Sequence, residues 1–173
     1  MLWCAVAGLA QIGLVAFAPR AAGPVAELSF ASTFPVDLLA PLGYPFILPA
    51  VALLHARAEA HRRSGAVLAT IAGTAAAIVG IGATSIVELR PAALVLLGMW
   101  WWTLGKMGVE TGILPRRFGV LTAVLGALLM VGAVVASLGD RRVLVPGDLG
   151  IFGAAHLVLG AWLLALATVF ARR

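Results

Sequence analysis

Charged residues are scarce in this sequence, where lysine, arginine, aspartate and glutamate make up only 11% of 173 residues. Soluble domains contain about 25% charged residues. Hydrophobic residues account for 62% of the chain. A small soluble fold leaves too large a fraction of its surface exposed to water to bury so many of them. The composition therefore excludes a disordered chain and an ordinary soluble enzyme. It predicts an all-α protein, a polytopic bundle of transmembrane helices.

Cysteine is nearly absent, because Cys4 is the only one in the chain. A single thiol excludes an internal disulfide and a multi-cysteine metal site. The sequence also lacks a Gly-x-Ser-x-Gly elbow, a glycine-rich phosphate loop and a His-Glu-x-x-His motif. Two histidines at one depth would be needed to hold a haem, and His55 and His156 lie far apart along the predicted helices. We expect no cofactor, no bound metal and no enzymatic activity.

Six apolar runs follow one another along the chain, and most have the length of about 20 residues that a membrane-spanning helix needs. They cover residues 1–19, 36–56, 65–87, 92–111, 118–138 and 149–171. No positive residue precedes the first run, so we interpret it as a retained helix rather than a cleaved leader. The sequence predicts a single integral membrane domain, residues 1–173, with six spans.

The basic residues lie mainly in short loops between the apolar runs. Six spans place eight of the 12 lysines and arginines on one side, together with both ends of the chain. Cytoplasmic loops carry the excess of positive charge, so we expect a multi-pass protein of the cell inner membrane with both termini in the cytoplasm. The net charge of +5 is explained by this pattern, and we expect no nucleic-acid partner.

Three prolines recur every fourth residue in the second run, at Pro41, Pro45 and Pro49. A helix would carry them near one face, and each would remove a backbone donor. The spacing predicts a proline-kinked helix headed by Asp37, whose charge favours a helix N-terminus. In an alternative interpretation, the freed carbonyls and Asp37 line a path through the bundle.

Small residues recur at helical spacing on three of the runs, which is typical of faces where membrane helices pack closely. They are Ala69, Gly73, Ala76, Gly80 and Ala83 in the third run, Gly119, Ala123, Gly126 and Ala133 in the fifth, and Gly153, Gly160 and Ala167 in the sixth. The same faces could instead join two copies of the chain.

The consecutive residues Trp100, Trp101 and Trp102 cannot share one face, so some must meet lipid and others the bundle.

Polar residues inside apolar runs are the best pointers to a site. Gln11 lies halfway along the first run, and His156 lies on the small-residue face of the sixth. Their depths differ by roughly 8 Å, so they could form a hydrogen bond, whose role could be structural or functional.

Lys106 and Glu110 are four residues apart on one helix face. We expect them to form a structural ion pair near the cytoplasmic edge, because an unpaired charge in the membrane is costly.

The segment Gly112-Ile-Leu-Pro-Arg-Arg-Phe-Gly119 precedes the glycine-rich fifth run, and Trp162-Leu-Leu-Ala-Leu lies in the last run. In these segments, and more weakly over residues 45–65, the chain resembles the uncharacterised bacterial six-helix membrane proteins catalogued as domain of unknown function 4386. The resemblance implies a bacterial six-helix membrane protein. It brings no activity and no site residue.

Two functions follow from these observations. The first is a small non-enzymatic membrane protein that lies among membrane lipids and binds another membrane protein, itself or a hydrophobic molecule within the bilayer. The second is a transporter or permease-like protein, with its path along the proline face of the second run near Gln11 and His156.

Overall fold

The computed structural model describes residues 2–17, 43–59, 63–138 and 151–171, and these segments contain six α-helices and no β-strand. The helices are α1 (Leu2–Phe17), α2 (Ile47–Glu59), α3 (Arg63–Ser85), α4 (Arg90–Thr111), α5 (Arg116–Leu138) and α6 (Ile151–Ala171). The predicted all-helical fold class is confirmed. Five helices begin and end within two residues of the predicted runs, and the exception is the second run.

Helices α3 to α6 each contain a segment long and apolar enough to cross a membrane. At about 1.5 Å per residue these helices match a hydrocarbon core about 30 Å thick. The chain is therefore a multi-pass membrane protein. Helices α1 and α2 are shorter, with 16 and 13 residues, so the number of six spans stays a prediction.

Prolines mark the beginnings of three helices. Pro49 lies in the first turn of α2, Pro91 in the first turn of α4, and Pro115 directly before α5. The missing N–H costs nothing there, because the first N–H groups of a helix have no partner within the helix. In the second run, a turn at residues 44–46 precedes α2, and Ile47 N–H donates to the Tyr44 carbonyl at 3.0 Å. Residues 36–42 lie outside the described part, so the kink of the whole run stays a prediction.

Helices α4 and α5 are in backbone contact through glycines spaced seven residues apart on each helix. A methyl group on Gly98 would lie 2.7 Å from the Gly126 carbonyl oxygen. A methyl group on Gly105 would lie 2.5 Å from the Gly119 carbonyl oxygen. The stripe predicted on the fifth run therefore packs within the chain, and Ala133 at its far end is also buried.

Helices α1 and α6 approach each other as closely and run antiparallel. A methyl group on Gly8 would lie 2.8 Å from the Gly160 carbonyl oxygen and 2.9 Å from Leu164 Cγ, whereas one on Gly160 would lie 2.7 Å from Ile12 Cγ1. Because positions later in α1 meet positions earlier in α6, the beginning of α1 and the end of α6 lie at one end of the bundle. Gly153, from the stripe predicted on α6, has no neighbour in the described segments that a methyl group would meet within 4 Å.

Aromatic side chains fill the space between the α4–α5 pair and α6. Trp100 and Trp101 are buried, whereas Trp102 is 46% exposed, as their successive directions predict. The ring of Trp162 on α6 packs against both buried tryptophans and stacks on Phe118 at 5.9 Å. Trp162 Nε1 donates to Thr122 Oγ1 at 2.9 Å, which connects α6 to α5.

Candidate functional site

A hydrogen bond between two buried side chains joins α6 to the turn before α2. Tyr44 Oη and His156 Nε2 lie 2.8 Å apart, and their rings meet edge to face with centroids 5.6 Å apart. Both side chains are buried, at 5% and 3% exposure. This bond holds two polar groups in an apolar interior, where a group without a partner is costly.

A buried arginine lies beside this pair. Arg90, the first residue of α4, is 2% exposed, and its Nε donates to the Ala83 carbonyl in the last turn of α3 at 3.1 Å. The guanidinium also interacts electrostatically with Tyr44. A cation is favoured there because the last carbonyls of a helix carry partial negative charge. We call Tyr44, Arg90 and His156 the buried polar cluster.

Two glycines leave the room that the side chains in this region occupy. A Cβ atom on Gly80 would overlap the ring of Tyr44, and one on Gly43 would lie 2.9 Å from Gln11 Nε2. Since Gly43 and Tyr44 are neighbours in the chain, Gln11 lies close to the cluster. Gln11 is 1% exposed, and its Oε1 atom has no hydrogen-bond partner among the described residues. A buried carbonyl oxygen of this kind costs about 1–3 kcal/mol.

A small cavity borders the cluster. Its volume is about 10 Å³, and its walls combine the polar atoms of Tyr44 and His156 with apolar side chains such as Leu94, Leu97 and Trp100. This is about the space that one water molecule needs. The arrangement is therefore a closed polar site that admits a larger group only if the helices around it move.

The cluster lies at the end of the bundle opposite the beginning of α1. Arg90 begins α4, Ala83 lies in the last turn of α3, and Tyr44 lies directly before α2. His156 is five residues into α6, or about 8 Å along it. Three regions distant in sequence, namely Tyr44, residues 83–90 and His156, thus bring their polar groups to one end.

Sequence reasoning identified His156 and Gln11 but missed Tyr44 and Arg90. The structure pairs His156 Nε2 with Tyr44 where the sequence suggested Gln11. Two signals could have identified the missed residues. Tyr44 is the only tyrosine of the chain. Arg90 stands next to an apolar run, although its position before Pro91 made it resemble a loop charge.

The described part of the proline run gives no support to an interior path. Pro45 belongs to the turn before α2, and Pro49 is exposed on the outer side of the helix. Asp37 and Pro41 lie outside the described residues. Their assignment to a path stays a prediction.

Lys106 and Glu110 lie near the end of α4, on the end of the bundle opposite the polar cluster. Both side chains are exposed, so neither faces the interior of the bundle, and their position near the membrane edge stays a prediction. Their pairing stays a prediction.

A second group of polar side chains lies at that end. His55 Nδ1 is 2.8 Å from Thr70 Oγ1, and His55 Nε2 is 3.7 Å from the Glu59 carboxylate. The guanidinium of Arg57 lies 4.2 Å above the Phe170 ring. Within the segments described here, no three histidine, cysteine or acidic side chains come together as a metal site would need.

Comparison with known proteins does not connect the chain to a characterised group. No protein-family model, no curated protein and no solved structure matches it. The resemblance to domain of unknown function 4386 stays a hypothesis.

Proposed function

We propose that this chain is a small non-enzymatic membrane protein that binds a molecule or a partner group within the bilayer at the buried polar cluster. The observation that carries this proposal is the buried cation Arg90. It interacts electrostatically with Tyr44, and Tyr44 and its hydrogen-bond partner His156 line a cavity. A buried charge in a membrane bundle is expensive and is by default a sign of a functional site.

The chemistry of the cluster favours an acceptor group as the ligand. A guanidinium only donates hydrogen bonds, and the tyrosine hydroxyl can donate once a ligand replaces histidine as its partner. A carboxylate or another anionic oxygen group, attached to an apolar body, fits a cationic site with apolar walls. The cavity holds about one water, so the described form is the closed one.

In the described part of the chain, Glu88 is the acidic side chain that interacts electrostatically with Arg90, and it is exposed. Acid–base chemistry in a membrane interior needs two groups of different pKa placed at one substrate. Among the described residues, no acidic side chain is buried with Tyr44, Arg90 and His156, which supports a binding role over catalysis. The same cluster could serve a transporter if the helices around it open alternately to both sides, and the experiment below separates the two functions.

We also propose that the protein belongs to the bacterial inner membrane, with both termini in the cytoplasm. The antiparallel contact of α1 and α6 supports the placement of both termini on one side, and the excess of positive charge in the loops on that side supports the orientation. The polar cluster then lies towards the outer face of the membrane.

Mass spectrometry of the protein purified in mild detergent tests the binding function. We expect a co-purifying molecule with an anionic group in the wild type, and about five-fold less of it in Tyr44→Phe, because one hydrogen bond contributes about 1 kcal/mol. His156→Gln should show the same loss.

Thr70→Val is the matched control, since it removes a hydroxyl that also lies 2.8 Å from an imidazole nitrogen, at the opposite end of the bundle. It should retain the molecule at wild-type level. Equal retention in Tyr44→Phe, or no co-purifying molecule at all, would contradict the binding site. Uptake of the identified molecule into proteoliposomes would favour the transporter.

A further inference from the structure

Helix α5 packs mainly against α4, and its Phe118 and Thr122 contact Trp162 of α6. Another face of α5 is left exposed among the described residues. Val120, Leu121 and Val124 are each about half exposed, at 48%, 52% and 49%. Together with Arg116 and Arg117, which lie on the same helix, they line a shallow, open depression of about 410 Å³. We call this surface the α5 groove. It is independent of the buried polar cluster.

The α5 groove is divided by polarity along the helix axis. The two arginines are the first two residues of α5, and the three apolar residues follow four to eight positions later. At 1.5 Å per residue the apolar part lies about 6–12 Å beyond the arginines. Residues one and two turns apart share a helix face, so the two arginines and the three apolar residues form one continuous stripe on α5.

The dimensions of α5 place this stripe in the bilayer. Its 23 residues span roughly 34 Å, slightly more than the hydrocarbon core of about 30 Å. The arginines therefore lie at the level of lipid phosphates, and the valines and leucine lie at the level of the upper acyl chains. Of the described residues that line the groove, none is acidic.

We propose that the α5 groove binds one anionic phospholipid. Its phosphate contacts the guanidinium groups of Arg116 and Arg117, and one acyl chain lies along Val120, Leu121 and Val124. Charge complementarity selects this occupant, because two arginines line the same depression and a guanidinium matches a phosphate in charge and geometry. An apolar stripe directly below them matches the chain attached to that phosphate.

Lipid titration with native mass spectrometry tests the proposal on the delipidated full-length protein in an uncharged detergent. Phosphatidylglycerol should bind more tightly than phosphatidylcholine. A juxtamembrane basic residue contributes about five-fold in affinity for anionic lipid. The double variant Arg116→Gln/Arg117→Gln should therefore bind phosphatidylglycerol about 25-fold more weakly than the wild type and lose the preference over phosphatidylcholine.

The double variant Arg141→Gln/Arg142→Gln is the matched control, since it removes the same charge from another pair of consecutive arginines. It should keep the wild-type affinity within about two-fold. A third variant, Leu121→Ser/Val124→Ser, keeps both arginines and should weaken binding of a long-chain lipid while leaving the affinity for a short, water-soluble analogue unchanged. The side chains changed in α5 are exposed, and unchanged thermal melting verifies the folding of all three variants.

Three results would overturn the proposal. Equal losses in the two arginine variants would reduce the effect to net charge. Displacement of the lipid by millimolar inorganic phosphate would indicate a phosphate site without an acyl contact. Dimers that dissociate in Leu121→Ser/Val124→Ser would show that a second copy covers the groove.

Discussion

The backbone contact between α4 and α5 is best tested by adding one methyl group at its centre. In Gly105→Ala the new methyl would lie 2.5 Å from the Gly119 carbonyl oxygen and would overlap the backbone of Ala123 as well. An ordinary van der Waals contact between such atoms is about 3.5 Å or longer. Because the obstructing atoms belong to a helix backbone, no side-chain rotation relieves the overlap, and the two helices must move apart.

The expected loss of stability follows from two opposing effects. Over-packing in a close contact costs about 1–3 kcal/mol, while replacing glycine by alanine within a helix contributes up to about 1 kcal/mol in favour of the variant. Gly153→Ala in α6 is the matched control, since its methyl would meet no described atom within 4 Å. Gly153 lies in the first turn of its helix, where the alanine gain is at most that of the helix interior, so the difference between the variants is a lower bound on the over-packing cost.

Thermal melting in detergent measures this difference. We expect Gly105→Ala to melt roughly 4–8 °C below Gly153→Ala, which corresponds to about 2 kcal/mol for a protein of this size. The control should melt at or slightly above the wild-type temperature. If Gly105→Ala melts together with its control, α4 and α5 do not approach each other as described.

Three further predictions concern topology, charge pairing and cofactors. Reporter fusions at Arg173 and within residues 20–35 should give cytoplasmic and periplasmic signals respectively, and a periplasmic signal from the C-terminal fusion would refute the orientation. Lys106→Met and Glu110→Gln should each lower the melting temperature more than the double variant does, because a single substitution leaves one charge without its partner; additive losses would exclude the pair. The purified protein should show neither a Soret band nor stoichiometric metal, and either signal would overturn the expectation of no cofactor.

The sequence by itself predicted the helical membrane fold, because hydrophobicity accumulates over a whole run and needs no knowledge of neighbours. Five helices lie within two residues of their predicted runs. The burial of Trp100 and Trp101 beside the exposed Trp102 followed from helix geometry in the same way, since successive side chains differ in direction by about 100°. The small-residue stripes also predicted close packing faces on α3 and α5.

Only the tertiary structure shows which helix each small-residue face packs against. A glycine stripe is equally suited to a neighbour in the same chain and to a second copy, and the fold assigns Gly119 and Gly126 to α4 within the chain. In the same way, Gly80 appeared as one member of a stripe, whereas the structure shows that its missing side chain makes room for the ring of Tyr44.

The candidate site depended on the fold still more strongly. His156 was identifiable because a histidine inside an apolar run is conspicuous. Tyr44 lies between prolines in the sequence, and Arg90 lies at a predicted turn between two apolar runs. Each residue fits the local sequence around it, so neither was identified as part of a site. Only the packing of α3, α4, α6 and the turn before α2 places the tyrosine hydroxyl 2.8 Å from the histidine and the arginine on the last carbonyls of α3. Hydropathy is a property of each segment and can be read from it alone, whereas a polar cluster depends on distances between segments that are far apart in sequence.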